Sequence, residues 1–268
     1  MSLIALIAIF LLVGLLTGIL IGMLGIGGGL VFVPALFYVL PLIDVPQENL
    51  AYFAIGSSLF AGALATSNSA ILHIRRKNFS QNSAILVAAG AALSAFITPF
   101  FVVKVNSDII KFIFASVMIL VAIRMILERS NNERFKLSNP LPKPFLFFLG
   151  IFAGVLSAFT GLGGGVIYVP SLIYLFLLNS KISVGTSSII TAVTMISSAV
   201  AYSLQASGNN LYVGAVGFII PEAAVPLGIG AIAGSFIGVK IVMKSSSEII
   251  KKVFAILIIA AVIKIIIT

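Results

Sequence analysis

Long apolar runs, separated by short polar or glycine-rich breaks, set the pattern of this 268-residue chain. In the first half the runs cover 3–24, 29–42, 50–74, 82–103 and 107–127. In the second they cover 144–162, 166–179, 183–206, 213–239 and 248–267. About 20 consecutive apolar residues carry a helix across a bilayer. Most of the runs reach that length, and the second run of each half is short for a full span. The pattern predicts an all-α integral membrane protein of about ten transmembrane or partial helices.

The two sets of five are related copies. Gly25-Ile26-Gly27-Gly28-Gly29, followed by Pro34, returns 136 residues on as Gly161-Leu162-Gly163-Gly164-Gly165, followed by Pro170. Gly14 and Gly18 keep that spacing with Gly150 and Gly154. Ile55-Gly56-Ser57-Ser58 returns 129 residues on as Val184-Gly185-Thr186-Ser187. Ser107-Asp108-Ile109-Ile110-Lys111 returns 140 residues on as Ser247-Glu248-Ile249-Ile250-Lys251. Blocks that recur in one order define a repeat. The first transmembrane repeat is placed at 1–128 and the second at 144–268. The polar linker between them, 129–143, carries Arg129, Glu133, Arg134, Lys136, Pro140 and Pro142.

Composition sharpens this picture. Hydrophobic residues make up 60% of the chain and charged residues 9%, against about 25% charged in a soluble domain. The mean hydropathy is +1.25. The runs leave no room for a separate soluble domain, so function must reside among the helices. The apolar start of the chain lacks a basic leader and recurs inside the chain, and is read as a helix rather than a cleaved signal. The absence of cysteine excludes disulfides, thiolate metal sites and cysteine nucleophiles. One histidine, His73, supplies no cluster for a metal, and neither a metal nor a cofactor is expected.

The net charge of +9 is read as lysine and arginine in cytoplasmic loops, not as a nucleic-acid surface. Arg75-Arg76-Lys77, the linker, Lys181 and the cluster at Lys240–Lys252 then share the cytoplasmic side. The loops with Asp44 and Glu48 and with Ser207–Asn210 lie outside, and Lys104 and Lys111 are exceptions to the rule. Five runs per half is an odd number, so the second half enters from the opposite side. The prediction is an inverted-topology repeat, a plan common in secondary transporters, in the plasma membrane, with a cytoplasmic linker and both termini outside.

Candidate chemistry starts at the glycine triplets, Gly27-Gly28-Gly29 and Gly163-Gly164-Gly165. Glycine costs a helix about 1 kcal/mol against alanine, and Pro34 and Pro170 follow each triplet. Three glycines together predict a broken helix. Non-helical backbone survives at membrane depth only inside protein or beside a water-filled cavity, and the N–H groups of the next helix then favour an anion. Gly14, Gly18, Gly22, Gly150 and Gly154, spaced by four, are read as close-packing positions.

Ser57, Ser58, Thr186 and Ser187 stand at matched places after a glycine in the third run of each half. Two roles are open to such hydroxyls: bonding back to backbone, or donating to the oxygens of an anion. Asn68 is the amide of its run and a further binding candidate. Glu222 is the carboxylate inside an apolar run, flanked by Pro221 and Pro226. A charge at mid-bilayer costs about 2.5–3.5 kcal/mol, so Glu222 is either a proton-coupling group or an interfacial one. His73 is read as an interfacial anchor. Arg124 and Lys264, at matched positions, are read as snorkelling to the interface.

Gly14, Gly18, Gly22, Gly25-Ile26-Gly27-Gly28-Gly29 and Pro34, with the second copy Gly150, Gly154, Gly161-Leu162-Gly163-Gly164-Gly165 and Pro170, together with Gly185-Thr186-Ser187, resemble the sulfite exporter TauE/SafE family of membrane permeases. The resemblance covers essentially the whole chain. It implies transport of small sulfur-containing anions such as sulfite, sulfoacetate or other organosulfonates. Gly56-Ser57-Ser58 in the first half departs from the Gly-Thr-Ser of the second.

The leading expectation is a secondary transporter with alternating access around a midplane site. Its partners are a small anionic substrate, the lipid bilayer and a coupling proton or sodium ion, with a homo-oligomer compatible. An anion channel using the same broken helices is the alternative. No phosphate-binding Gly-x-x-x-x-Gly-Lys-Ser/Thr loop is present. An enzyme would need a nucleophile with its base, a metal site or a carboxylate pair.

Overall fold

The computed structural model describes residues 3–127, 139–205 and 212–244. The run at 248–267, linker residues 129–138 and the loop Ser207–Asn210 lie outside the described residues. The helices of the first half are α1 (Leu3–Leu24), α2 (Gly29–Val39), α3 (Leu50–Arg75), α4 (Gln81–Ile97), α5 (Pro99–Val102) and α6 (Ser107–Leu127). Those of the second are α7 (Pro144–Thr160), α8 (Gly165–Tyr174), α9 (Ser180–Ser203) and α10 (Pro221–Lys244). Nine of the ten expected runs fall on these helices. Among the described residues the only β contact is an isolated bridge, Val216 to Ile219.

Among the described residues five segments, Leu6–Leu24, Gln47–Arg75, Gln81–Val102, Ser180–Ser203 and Pro221–Lys244, are long and apolar enough to cross a membrane. α2 and α8 have 11 and 10 residues, too few for a span. The surface is apolar and the interior partly polar. Leu12, Leu16, Phe112, Phe148 and Phe152 are exposed, whereas among the described residues the buried polar side chains are serines and threonines together with His73. A soluble protein would not expose so large an apolar surface. The chain is an integral, multi-pass membrane protein.

The helices pair across the two halves. α1 lies parallel to α10 with backbones in contact: a Cβ placed on Gly18 would lie 2.2 Å from the carbonyl oxygen of Ala231, and one on Gly234 would lie 2.1 Å from that of Leu15. α4 and α7 pack in parallel the same way, through Gly90 against Phe147 and Gly150 against Val87. α3 and α9 cross the centre antiparallel, with Gly62 against Met195 and Ser69 bonded to Ser188. The first helix of each half therefore packs on the fourth of the other. Small residues permit such approach where apolar burial provides no drive between helices.

The largest boundary difference from the sequence reading lies in the second half. The run at 213–239 begins its helix only at Pro221. Gly214 and Gly217 adopt positive φ, at 88° and 56°, and turn the chain over the end of α9, where the amide of Phe218 donates to the carbonyl of Tyr202. Proline is pre-organised for the first helical position, where no N–H is needed. Glu222 therefore stands exposed in the first turn of α10 and not deep inside an apolar helix.

Gly18→Leu should lower the stability of the detergent-solubilised protein by at least about 1–3 kcal/mol, because the neighbour is backbone and cannot yield. Leu16→Ala, on the exposed side of the same helix, should stay within about 0.5 kcal/mol. Thermal unfolding of the two variants checks this, and equal melting would refute the backbone contact.

Candidate functional site

The glycine motifs break their helices where the sequence places the breaks. α1 ends at Leu24 and α2 starts at Gly29; α7 ends at Thr160 and α8 starts at Gly165. Between them Gly25, Gly27 and Gly28 hold φ of 67°, 82° and 81°, and Gly161, Gly163 and Gly164 hold 70°, 79° and 76°. This left-handed region costs other L-residues about 1–2 kcal/mol each, which is why glycine occupies it.

The two breaks cross each other at the middle of α3 and α9. A Cβ on Gly29 would lie 2.0 Å from the carbonyl oxygen of Gly161, and one on Gly165 would lie 2.3 Å from that of Gly25. Gly27 and Gly163 both press on Thr191 and Met195. Residues 25–29 and 161–165 are all buried, so the crossing is closed to both ends of the bundle. In each short helix the first backbone bonds converge on one carbonyl. Val31 and Phe32 donate to Gly28, and Ile167 and Tyr168 donate to Gly164. The amides of residues 28–30 and 164–166 precede these bonds and stand outside the helical ladder, as at any helix start. Two helix N-termini, each carrying partial positive charge, thus begin within the crossing.

The matched hydroxyls secure this arrangement reciprocally. Ser58 Oγ donates to the carbonyl of Gly161 at 3.2 Å, and Ser187 Oγ donates to that of Gly25 at 2.9 Å. Ser57 Oγ accepts from the amide of Ile220 at 3.0 Å, just before α10. Thr186 Oγ1 accepts from the amide of Ser80 at 2.9 Å, just before α4. One hydroxyl of each pair holds the opposite half's break, and the other caps the opposite half's fourth helix. Asn68 is turned towards α10, where its Nδ2 donates to Ser235 Oγ at 2.7 Å and reaches the carbonyl of Ile232 at 3.5 Å. The structure brings the six triplet glycines, Ser58 and Ser187 together; Ser57, Thr186, Asn68 and Glu222 make their contacts elsewhere.

Glu222 Oε2 accepts from the hydroxyl of Tyr212 at 3.3 Å. Burial, and then the neighbouring Glu222 carboxylate, push the Tyr212 hydroxyl above its usual value, so it stays protonated as the donor. Asp44 adds to the same effect. At the opposite end of the bundle the cationic side chains gather. Arg76 Nη1 donates to the carbonyl of Val239 at 3.2 Å, and Lys181 Nζ donates to that of Met243 at 3.1 Å. His73 is buried there, with Nδ1 2.9 Å from Asn78 Nδ2, rather than sitting exposed as an anchor. Lys264 lies outside the described residues, as does the side chain of Arg124.

Met195, Tyr168 and Tyr202 were not singled out from the sequence. Met195 packs against both breaks. The hydroxyls of Tyr168 and Thr194 lie 3.0 Å apart, and Tyr202 donates to the carbonyl of Ala158 at 2.7 Å. Tyr168 carried a readable signal, since it falls four residues after Gly164 and 136 after Phe32. Met195 carried none, because its counterpart in the repeat is Thr66.

The sequence profile described as "Sulfite exporter TauE/SafE" matches residues 10–265. A probable membrane transporter protein of Haemophilus influenzae is 32% identical over 93% of this chain and 94% of its own length. One of Methanocaldococcus jannaschii is 27% identical over 91% of this chain and 89% of its own. The probable membrane transporter protein YunE of Bacillus subtilis is 26% identical over 76% and 81%. No solved structure matches.

Ser58→Ala and Ser187→Ala should each destabilise the protein by about 1–3 kcal/mol, the penalty for a buried carbonyl left without its donor. Melting of the purified variants in detergent tests this. Wild-type melting of both would mean that these hydroxyls do not hold the breaks.

Proposed function

From the premise that the chain belongs to the sulfite exporter TauE/SafE family of membrane transporters, we propose that it is a secondary transporter for a small anion. The substrate class is sulfite, sulfoacetate or another organosulfonate or sulfur oxyanion, moved by alternating access around the crossed breaks. The observation that carries this reading is the pair of buried helix N-termini, at Gly29 and Gly165, in contact through each other's glycine carbonyls. A helix N-terminus stabilises a partly buried anion by up to about 2 kcal/mol. Two of them favour negative charge without a buried lysine or arginine, whose desolvation would oppose folding.

Within the triplets Gly27–Gly29 and Gly163–Gly165, the amides of Gly28, Gly29, Gly164 and Gly165 are the substrate donors in this reading. Ser58 and Ser187 position them, and Ser57, Thr186 and Asn68 hold the helices that carry them. The crossing is closed in this conformation, so substrate enters only when α2 and α8 move relative to α3 and α9. Such rearrangement is the alternating-access step, and it exposes the amides to one side at a time.

An inverted repeat of 1–128 and 144–268 fits the packing. α3 and α9, third in their halves, run antiparallel, while the exchanged pairs α1–α10 and α4–α7 run parallel. The cationic end formed by Arg76, Lys181 and Lys244 is assigned to the cytoplasm of a cell-membrane protein, which puts both termini outside. Glu222 is the candidate for proton coupling, placed at the opposite end beside Tyr212, with sodium as the competing coupling ion.

Proteoliposomes test the reading directly. Uptake of labelled sulfite or a small sulfonate should saturate and show counterflow; unitary conductance would replace the carrier with a channel. Flux driven by a proton gradient should lose its pH dependence in Glu222→Gln. An unchanged profile, or drive by sodium alone, would remove Glu222 from the coupling. Among sulfite, sulfate, thiosulfate and small sulfonates, a true ligand at 100 times its dissociation constant stabilises the protein by about 2.7 kcal/mol, and a panel without any melting shift would refute the anion site.

A further inference from the structure

His73 has no part in the anion site, yet it lies where the two halves are tied together at the cationic end of the bundle. Its side chain is fully buried, and Nδ1 lies 2.9 Å from Asn78 Nδ2. The same Nδ2 donates to the carbonyl of Lys181 at 3.0 Å. A carbonyl can only accept, so the amide nitrogen is fixed in that place. One of its N–H groups serves Lys181 and the other serves His73. Nδ1 is therefore an acceptor, and the ring is neutral with its proton on Nε2. The backbone of Gly22, three residues before Gly25, is another polar neighbour of the ring, and Nε2 makes no full hydrogen bond.

These bonds latch the end of α3 to the start of α9. The amide of Ser80 donates to Thr186 Oγ1 at 2.9 Å in the same seam. Gly185 packs into it, where a Cβ would lie 2.9 Å from His73 Nδ1 and would clash with the carbonyl of Asn78. Two residues further on, Ser187 holds the carbonyl of Gly25. The latch thus lies beside the hydroxyl that closes the first break.

An imidazolium donates from both nitrogens, so a proton on Nδ1 would set N–H against N–H. Turning the amide over would offer Oδ1 to the imidazolium but would press that oxygen on the Lys181 carbonyl. Either way the Asn78 bridge is lost. The charged groups at this end are Arg75, Arg76 and Lys77 after the ring, Lys181 on α9, and Lys240 and Lys244 on α10; α1 and α4 bring none. The described carboxylates stand at the opposite end: Asp44 and Glu222 by Tyr212, Glu48 before α3, and Asp108 beside Ser107, whose Oγ accepts from Ala51. The added charge therefore meets no carboxylate of the described chain.

We infer that His73 Nδ1 is a proton-binding site whose occupation unlatches the cationic end of the bundle. A solvent proton takes the Nδ1 lone pair that Asn78 releases. The closed form has no room for that proton, so it binds the open form, and opening rises as pH falls. Histidine is the side chain suited to such a change near neutral pH. This site is separate from Glu222 and Tyr212 at the other end. It rests on the carrier reading only in that the opened end is one of the two sides to which the crossing is exposed.

The chain has no cysteine, so a single introduced thiol reports the opening. Ser183→Cys places one at a fully buried position at the start of α9. Its labelling by a polar maleimide, in the full chain in detergent without substrate, is normalised at each pH to the denatured protein. From pH 7.5 to 5.5 the normalised rate should rise at least about threefold, one proton allowing up to about tenfold per pH unit. His73→Gln, whose amide oxygen can still accept from Asn78, should stay slow at both pH values. Asn78→Asp, whose carboxylate accepts from a protonated Nδ1, should reverse the slope, which a merely structural role would not do. A flat profile in the parent, the parent's slope or fast labelling throughout in His73→Gln, or an unreversed slope in Asn78→Asp each overturns the latch. None of these results bears on anion binding, whereas failure of sulfite or sulfonate flux overturns the carrier and leaves the latch standing.

Discussion

Hydrocarbon offers no hydrogen-bond partner, so a helix that opens at mid-membrane must find partners for its backbone inside the protein. This chain opens two helices inside its bundle and lets each opening close the other. Gly25 and Gly161, which start the breaks, offer carbonyls to Ser187 and Ser58 of the opposite half. Gly29 and Gly165, which end them, lie against those same carbonyls so closely that no Cβ fits. The rest of the structure follows from this mutual closure. It fixes the antiparallel crossing of α3 and α9, which carry the hydroxyls, and it sets two helix starts side by side.

Around that centre the glycine stripes of α1 with α10, and of α4 with α7, act as rigid clamps. In each pair backbone meets backbone, and carbonyl oxygens stand where a side chain would otherwise project. Packed contacts of this kind do not deform continuously. The breaks are held as closely: Gly29 and Gly165 meet carbonyls of the opposite break, and the Gly25 carbonyl accepts from Ser187 at 2.9 Å and from Thr191 at 3.4 Å. A displacement that frees one break withdraws a donor or a carbonyl from the other. In the proposed carrier mechanism the two breaks therefore open together.

The polar chemistry is matched to its solvent. Among the described residues the buried polar side chains are hydroxyls and one imidazole, with no carboxylate, lysine or arginine. A hydroxyl satisfies itself on a neighbouring carbonyl, as Thr66 does on Gly62 at 2.7 Å and Thr194 on Ile190 at 2.8 Å, so it folds at little cost. In the proposed anion site, charge attraction is left to helix termini. Among the described hydroxyls Ser157 is the exception, buried without a partner.

The sequence alone determined the solvent, the repeat and the breaks, because these depend on local properties. Long apolar runs can only be stable in lipid, and three adjacent glycines cannot sustain a helix. The recurrence of Gly25–Gly29 at Gly161–Gly165 also announced that two breaks would match. Partnership was decided by the tertiary structure. Nothing local indicates that Ser58 serves Gly161, that Ser57 caps α10 or that Asn68 turns to Ser235, since each bond joins residues more than 100 positions apart. In the sequence Glu222 stands open between a coupling group inside an apolar run and an interfacial one, and only the turn at Gly214 and Gly217 sets it at the start of α10. The bond from Asn78 to Lys181 likewise exists because the end of α3 meets the start of α9 there, a fact of packing that no stretch of sequence contains.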